Sequence, residues 1–165
     1  MKKCQKCGLC GHFGKLNNMV KELNLLETNQ GKRITINRKK NLTCRSYGIY
    51  VGLCNLCSNH YVGQTKNSFS TRWNAHRATW RKYYDRFLAD NTISTTQNDE
   101  QALFNHYVNH HQEHLTTERM PLSEAYSVVF LEEPRMEILD VRESFWITKL
   151  DAKINISKTF LPKIK

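Results

Sequence analysis

Two groups of residues in this chain are spaced for chemistry. Thiols form the first. Cys4, Cys7 and Cys10 follow one another at intervals of three with His12 close behind, and Cys54 and Cys57 repeat that interval. A Cys-x-x-Cys pair presents two sulfurs to one ion, and two imidazoles complete a tetrahedral set. His106 and His110 supply that pair if they sit at i and i+4 on one helix face; His111 is the alternative, and the sequence does not choose between them. Cys4, Cys7, Cys10 and His12, with Cys44 as a further candidate, make a second set whose four ligands can be drawn in more than one way. The other group is a pair of tyrosines, Tyr50 and Tyr61, flanking the Cys54–Cys57 turn, followed by Arg72 and His76 four residues apart. Phenol, guanidinium and imidazole can act together only if a strand pair and a helix bring them to one place.

The elements expected to do so follow from the apolar pattern. Residues 46–53 are rich in aromatic and β-branched side chains and read as a strand; 54–60 is a turn and 61–65 the returning strand. Residues 70–88 are the clearest helix, with Ser70 as its N-cap and Trp73, Trp80, Tyr84 and Phe87 along one stripe. Arg72, His76, Arg77, Arg81 and Lys82 flank that stripe. A polar loop over 89–99 precedes a second helix at 100–114, in which Leu103, Phe104, Tyr107 and Val108 pack. A third strand covers 124–132, and Pro134 ends it. A last helix, 135–150, has Ile138, Leu139, Val141, Phe145, Trp146 and Leu150 as core candidates. The order β-β-α-α-β-α predicts an α/β domain with a small three-stranded antiparallel or mixed sheet covered by helices. Residues 1–43 read as a separate basic, cysteine-rich arm, with a short amphipathic helix over 17–27 and a basic strand around Ile34 and Ile36. The main domain spans 44–157 and a tail 158–165. His60 and His114 are expected on the polar surface.

Composition narrows the partners. The chain has 165 residues, 39% hydrophobic and 24% charged, which suits a globular domain. Its apolar runs are far short of the roughly 20 residues a membrane span needs, so no membrane partner is expected. Met1–Cys7 lacks the apolar core of a secretory signal, so the six cysteines are expected to bind metal instead of forming disulfides, in a nuclear or intracellular setting. Net charge is +10, of which +9 falls in residues 1–46. A positive field that concentrated attracts polyanions, and nucleic acid is the leading partner.

The ordered pieces Gly48-Ile49-Tyr50, Tyr61-Val62-Gly63, Arg72-Trp73 with His76, "RESFWITKL" around Glu143, and Asn155 in "KINIS" resemble the GIY-YIG endonuclease family. Asn155 lacks the glycine that commonly precedes it by two residues. Two cysteines between the motifs, later histidines, Cys44 and a cysteine-rich basic stretch are more closely similar to the nuclease domain of Penelope-like retroelements. The resemblance implies a DNA endonuclease or nickase that hydrolyses phosphodiesters with Mg²⁺ or Mn²⁺ held by Glu143. It further implies that Tyr50 positions or deprotonates the attacking water and that Tyr61 hydrogen-bonds water or phosphate. Lys66 supplies positive charge, Arg72 clamps the non-bridging oxygens and His76 relays a proton. Cys54, Cys57, His106 and His110 (or His111) then hold a structural Zn²⁺. In that setting DNA is the substrate, and RNA or a reverse transcriptase in a larger retroelement protein are further partners. The alternative is an inactive, zinc-stabilised nucleic-acid-binding module on the same fold.

Overall fold

The computed structural model describes residues 25–28, 31–35, 42–90 and 99–155. Cys4, Cys7, Cys10 and His12 lie outside these residues, as does the 158–165 tail. In chain order the elements are β1 (Leu25–Glu27), β2 (Arg33–Thr35), β3 (Gly48–Cys54), β4 (His60–Thr65), α1 (Phe69–Asp90), α2 (Ala102–His110), the single turn α3 (Leu122–Ala125), β5 (Tyr126–Glu132) and α4 (Leu139–Leu150). Short 3₁₀ turns precede α2 and α4 and follow α2.

β3 is the middle of a three-stranded sheet ordered β4-β3-β5, and both of its pairings are antiparallel. The expected α/β architecture is therefore realised in its antiparallel form. Side chains alternate across β3, so its two faces feed two cores. Tyr50 and Cys54 point to one core with Tyr61, Tyr126, Val128 and Phe130, covered by Phe69, Trp73, Trp80 and Tyr84 of α1 and by α2. Ile49 and Val51 point to the other with Val62, Val129 and Leu131, covered by Leu139, Trp146, Ile147 and Leu150 of α4. Leu26 of β1 joins this second core, with Ile34 of β2 packed against it. Residues 25–27, expected at the end of a helix, instead pair with Arg33–Thr35 as a hairpin. His60 is also not on the surface: it is buried, and its Nε2 bonds the Glu27 carbonyl at 2.8 Å.

The start of α1 is fixed to the chain just before β3. The Phe69 and Ser70 amides donate to the carbonyls of Ser46 and Cys44 at 2.9 and 2.8 Å. Ser68, not Ser70, is the cap: its Oγ accepts the Thr71 amide at 3.0 Å. From there Phe69, Trp73, His76, Trp80, Tyr84 and Phe87 recur at helical spacing and are all buried, so His76 lies within the apolar stripe.

α4 is rotated relative to the expectation. Val141 and Phe145 are 65% and 42% exposed, while Glu143 is 3% exposed among Leu139, Trp146, Ile147 and Leu150. The apolar count favoured the other phase; the packed helix turns a carboxylate inward and leaves two large apolar side chains in solvent. The outer edge of β4 is closed by the segment after α4. Ile154 donates its amide to the His60 carbonyl at 3.1 Å. The Asn155 amide pairs with both backbone groups of Val62, accepting at 2.8 Å and donating at 2.7 Å. Those backbone groups are shut away from water, so they need a partner. Asn155→Ala should lower unfolding free energy by about 1–3 kcal/mol, measured by denaturant titration, and Asn155→Asp should be no better because it cannot donate to the Val62 carbonyl.

Candidate active site and metal centre

Tyr50 pairs with Gly63 across the β3–β4 ladder. Its phenol lies over that glycine so closely that a Cβ there would meet Tyr50 Cζ and Oη at 2.4 Å. Gly48 is constrained in a different way. Its φ of +134° is rarely open to other residues, and a Cβ would meet the Glu132 carbonyl oxygen at 2.1 Å. The two glycines flanking the tyrosine motifs thus have separate steric reasons. One lets β3 enter the sheet beside Glu132; the other clears a path for the Tyr50 ring.

At the end of that path the Tyr50 oxygen meets two residues from α1. Arg72 Nε donates to it at 3.3 Å, and His76 Nε2 lies 2.7 Å away. The phenol oxygen, with two lone pairs and one proton, thus accepts from Arg72 while it shares a hydrogen bond with His76 Nε2. Tyr61 completes the group: its ring centre lies 5.6 Å from His76 and 6.5 Å from Tyr50, and its oxygen is among the groups that act on Arg72. Burial works to lower the Arg72 pKa, but charge and hydrogen-bond interactions with the Tyr50 and Tyr61 oxygens prevail and raise it. His76 is pushed down to about 3, first by burial and then by the Arg72 charge, so its imidazole is neutral at ordinary pH. A guanidinium beside a phenol oxygen favours negative charge developing there, and a neutral imidazole hydrogen-bonded to the same oxygen holds the ring in place.

The other expected residues lie around this cluster. Glu143 is held on the α4 side of the sheet, where Gln64 Nε2 donates to its Oε1 at 2.9 Å and to Asp140 Oδ1 at 2.5 Å. Gln64 directly follows Gly63, so the carboxylate and the phenol address consecutive residues of β4 from its two faces. Gln64 and Asp140 were not anticipated from sequence. Asp140 precedes Glu143 by three, a spacing that signals a shared helix face, but only the inward turn of α4 makes that face the relevant one. Lys66 is exposed just beyond β4. Asn155 makes the Val62 backbone contacts described above.

The thiols converge on a second point. One ligand atom from each of Cys54, Cys57, His106 and His111 lies within 4.8 Å of every other, so the four could hold one metal ion. Cys57 Sγ and His106 Nε2 are 3.2 Å apart. The set contains His111 and not His110, the second of the two alternatives that the sequence left open. α2 ends at His110, and His111 leaves it with φ −138° and ψ 38°, so its ring swings back toward the thiols. His110 is exposed and lines a polar pocket with Asn105, Asn109, Lys153 and Asn155. Two features fit a metal. The His111 Nε2 is buried with no hydrogen-bond partner among the described residues. Burial, with His111 and His110 adding to it, pushes His106 down to about 4, and the neutral imidazole is the form that ligates. Cys44 is buried in the α1-side core and is not one of the four. Among the described residues no helix is long and apolar enough to cross a membrane.

No protein-family model matches this chain, and no curated protein sequence does. Among solved structures it is similar to the catalytic domain of the homing endonuclease I-TevI, with 24% identity over 67% of this chain and 94% of that chain, at a TM-score of 0.37. At that degree of likeness the comparison says nothing of chemistry, which has to come from the side chains themselves.

Elemental analysis of the purified protein should find tightly bound metal that is lost in Cys54→Ser and in His111→Ala but retained in His110→Ala; loss with His110→Ala alone would reverse the assignment. A separate outcome concerns protons. Unfolded histidine takes up a proton near pH ~6.5, whereas folded His76 does so only at about 3. Stability should therefore fall as pH drops through that window, by about 1.4 kcal/mol per pH unit for each such group. In His76→Gln the slope of unfolding free energy against pH should be shallower by about one proton. Equal slopes would mean that His76 is not held neutral.

Proposed function

We propose that this chain is a metal-dependent DNA endonuclease or nickase, similar to the domain with which a Penelope-like retroelement opens its target site. The observation that carries the reading is the Tyr50 oxygen set between Arg72 Nε and His76 Nε2. Phosphodiester hydrolysis needs a positioned water, a counter-charge for the phosphate and a place for a proton. Arg72 is only half-buried, so its fork can reach non-bridging oxygens while it touches the phenols. Tyr50, its oxygen polarised by Arg72 and hydrogen-bonded to His76, orients the attacking water. Tyr61 sits beside both as a second hydrogen-bonding phenol, and Lys66 adds positive charge at the end of β4.

Glu143 fits a hard divalent cation, Mg²⁺ or Mn²⁺: it is an oxygen donor whose orientation Gln64 fixes. Such an ion supplies charge neutralisation on the phosphate and help for the departing oxygen. The four-ligand set at Cys54, Cys57, His106 and His111 suits Zn²⁺, since two thiolates and two imidazoles make a closed tetrahedral site that is structural and not catalytic. DNA as substrate agrees with the net charge of +10. RNA or a reverse transcriptase within a larger protein, and a nuclear or intracellular location, belong to the same reading.

A second reading, the inactive nucleic-acid-binding module, draws on burial: the Tyr50 and Tyr61 side chains and Glu143 are all nearly inaccessible. Supercoiled plasmid separates the two. With Mg²⁺ or Mn²⁺ the wild type should convert it to open circles or linear DNA. Glu143→Ala and Arg72→Ala should each lose at least a hundredfold in rate, the scale seen on removing one transition-state charge contact, with unchanged circular dichroism. Binding without cutting by the wild type, or equal cutting by Glu143→Ala, would favour the inactive module.

A further inference from the structure

The solvent face of α1 carries a stripe of its own. Arg72, Ala75, Thr79, Lys82 and Arg86 recur at intervals of three, four, three and four, so they form one line along the helix, with Tyr83 beside it. Lys82 Nζ and Arg86 Cζ lie 5.4 and 5.3 Å from the centre of the Tyr83 ring. One aromatic ring therefore braces two cations side by side.

Three Lys or Arg side chains among the described residues meet carboxylates: Arg119 with Asp85 at 2.7 Å, Arg142 with Glu132 at 2.6 Å and Lys153 with Asp151 at 3.0 Å. Among the described residues neither Lys82 nor Arg86 forms such a pair, although both are exposed. Two like charges gathered on one ring repel each other unless an anion from outside joins them. Ala75 and Thr79 are small, which leaves a shallow stretch between Arg72 and the cation pair. From Arg72 to Arg86 the helix rises about 21 Å, room for several nucleotides at about 3.4 Å each along a duplex.

On the opposite flank of α1, Arg77 bonds the neutral Asn74 side chain at 3.3 Å, and exposed Arg81, like Lys82 and Arg86, has no carboxylate partner among the described residues. What sets the Arg72 side apart is a line of cations with an aromatic ring against its last two, which suits a strand better than a lipid surface.

We propose that this stripe is the track for a nucleic-acid strand: Lys82 and Arg86, braced on Tyr83, hold the backbone phosphates of the strand whose reacting phosphate lies at Arg72. The proposal rests on the reading of Arg72 as a phosphate clamp. It assigns Lys82 and Arg86 to substrate binding and makes Tyr83 a positioning residue.

The test is the affinity of the intact chain for short single-stranded and duplex oligonucleotides, measured from ~50 to ~200 mM salt, the range over which phosphate contacts are lost. Lys82→Gln/Arg86→Gln should make the log–log salt slope shallower by about 1.4 to 1.8, two contacts' worth, with unchanged thermal melting. Tyr83→Phe should keep the wild-type slope and Tyr83→Ala should weaken binding. The same loss of slope in Arg77→Gln/Arg81→Gln would mean a diffuse field and overturn the track, as would binding to anionic vesicles in preference to oligonucleotide. A wild type that cuts plasmid while the double variant keeps the full slope removes the track and leaves the endonuclease reading. A wild type that never cuts, with the slope lost as expected, does the reverse. No oligonucleotide binding by the wild type ends both.

Discussion

The contact on which the site depends is the passage of the Tyr50 phenol across Gly63. It sets the register of β3 against β4, because a slip of one residue would send Tyr50 to the α4 side and put a side chain beneath it. It also sets where α1 must begin. The phenol oxygen can meet Arg72 and His76 only if the first turn is pinned close to β3, which the Ser46 and Cys44 carbonyls achieve by accepting from Phe69 and Ser70. Tyr61 then falls on the same face two residues before Gly63. Strand register, helix origin and side-chain cluster are one geometric constraint expressed three times.

The cluster is held in an environment that suppresses charge on histidine. His76 is buried among Tyr50, Tyr61 and Trp73, with ring centres 5.3 to 5.9 Å away. In such surroundings hydrogen bonds are stronger and unpaired polar groups cost more than in water. Arg72 brings the positive charge, and it does so from the rim, where solvent still reaches it. Glu143, drawn inward on α4, is the acidic counterpart on the other side of β4. A helix that hides a carboxylate and exposes Val141 and Phe145 has not been arranged by hydrophobic burial alone.

Much of this was legible in the sequence because it is written in short periods. The hairpin showed in alternating aromatic and β-branched residues, and α1 in the spacing of Trp73, Trp80, Tyr84 and Phe87. The grouping of Cys54 and Cys57 with histidines of the next helix showed in ligand spacing. The failures share a physical cause: each depended on where an element ends or which way it is rolled. The choice between His110 and His111, left open by the sequence, turns on α2 stopping at His110, a stop that no local signal marks. Ser68 replaced Ser70 because the cap is chosen by the carbonyls that the first amides find. His60 went inside because β1 supplies a carbonyl from a segment distant in sequence. Asn155 was read from family likeness, while its contacts brace the Val62 edge of β4. Lys66 has no ion pair among the described residues, and Cys4, Cys7, Cys10 and His12 lie outside them.

Cys57 and His106 stand 49 positions apart, and the whole of α1 lies between them. With an ion in place, that stretch becomes a closed ring whose circumference includes the helix bearing Arg72 and His76. Sealing a ring of that size removes about 4 kcal/mol of freedom from the unfolded chain on a simple entropy model. The sulfur–imidazole knot thus acts at a distance: it limits how far the helix that bears Arg72 and His76 can drift from the sheet.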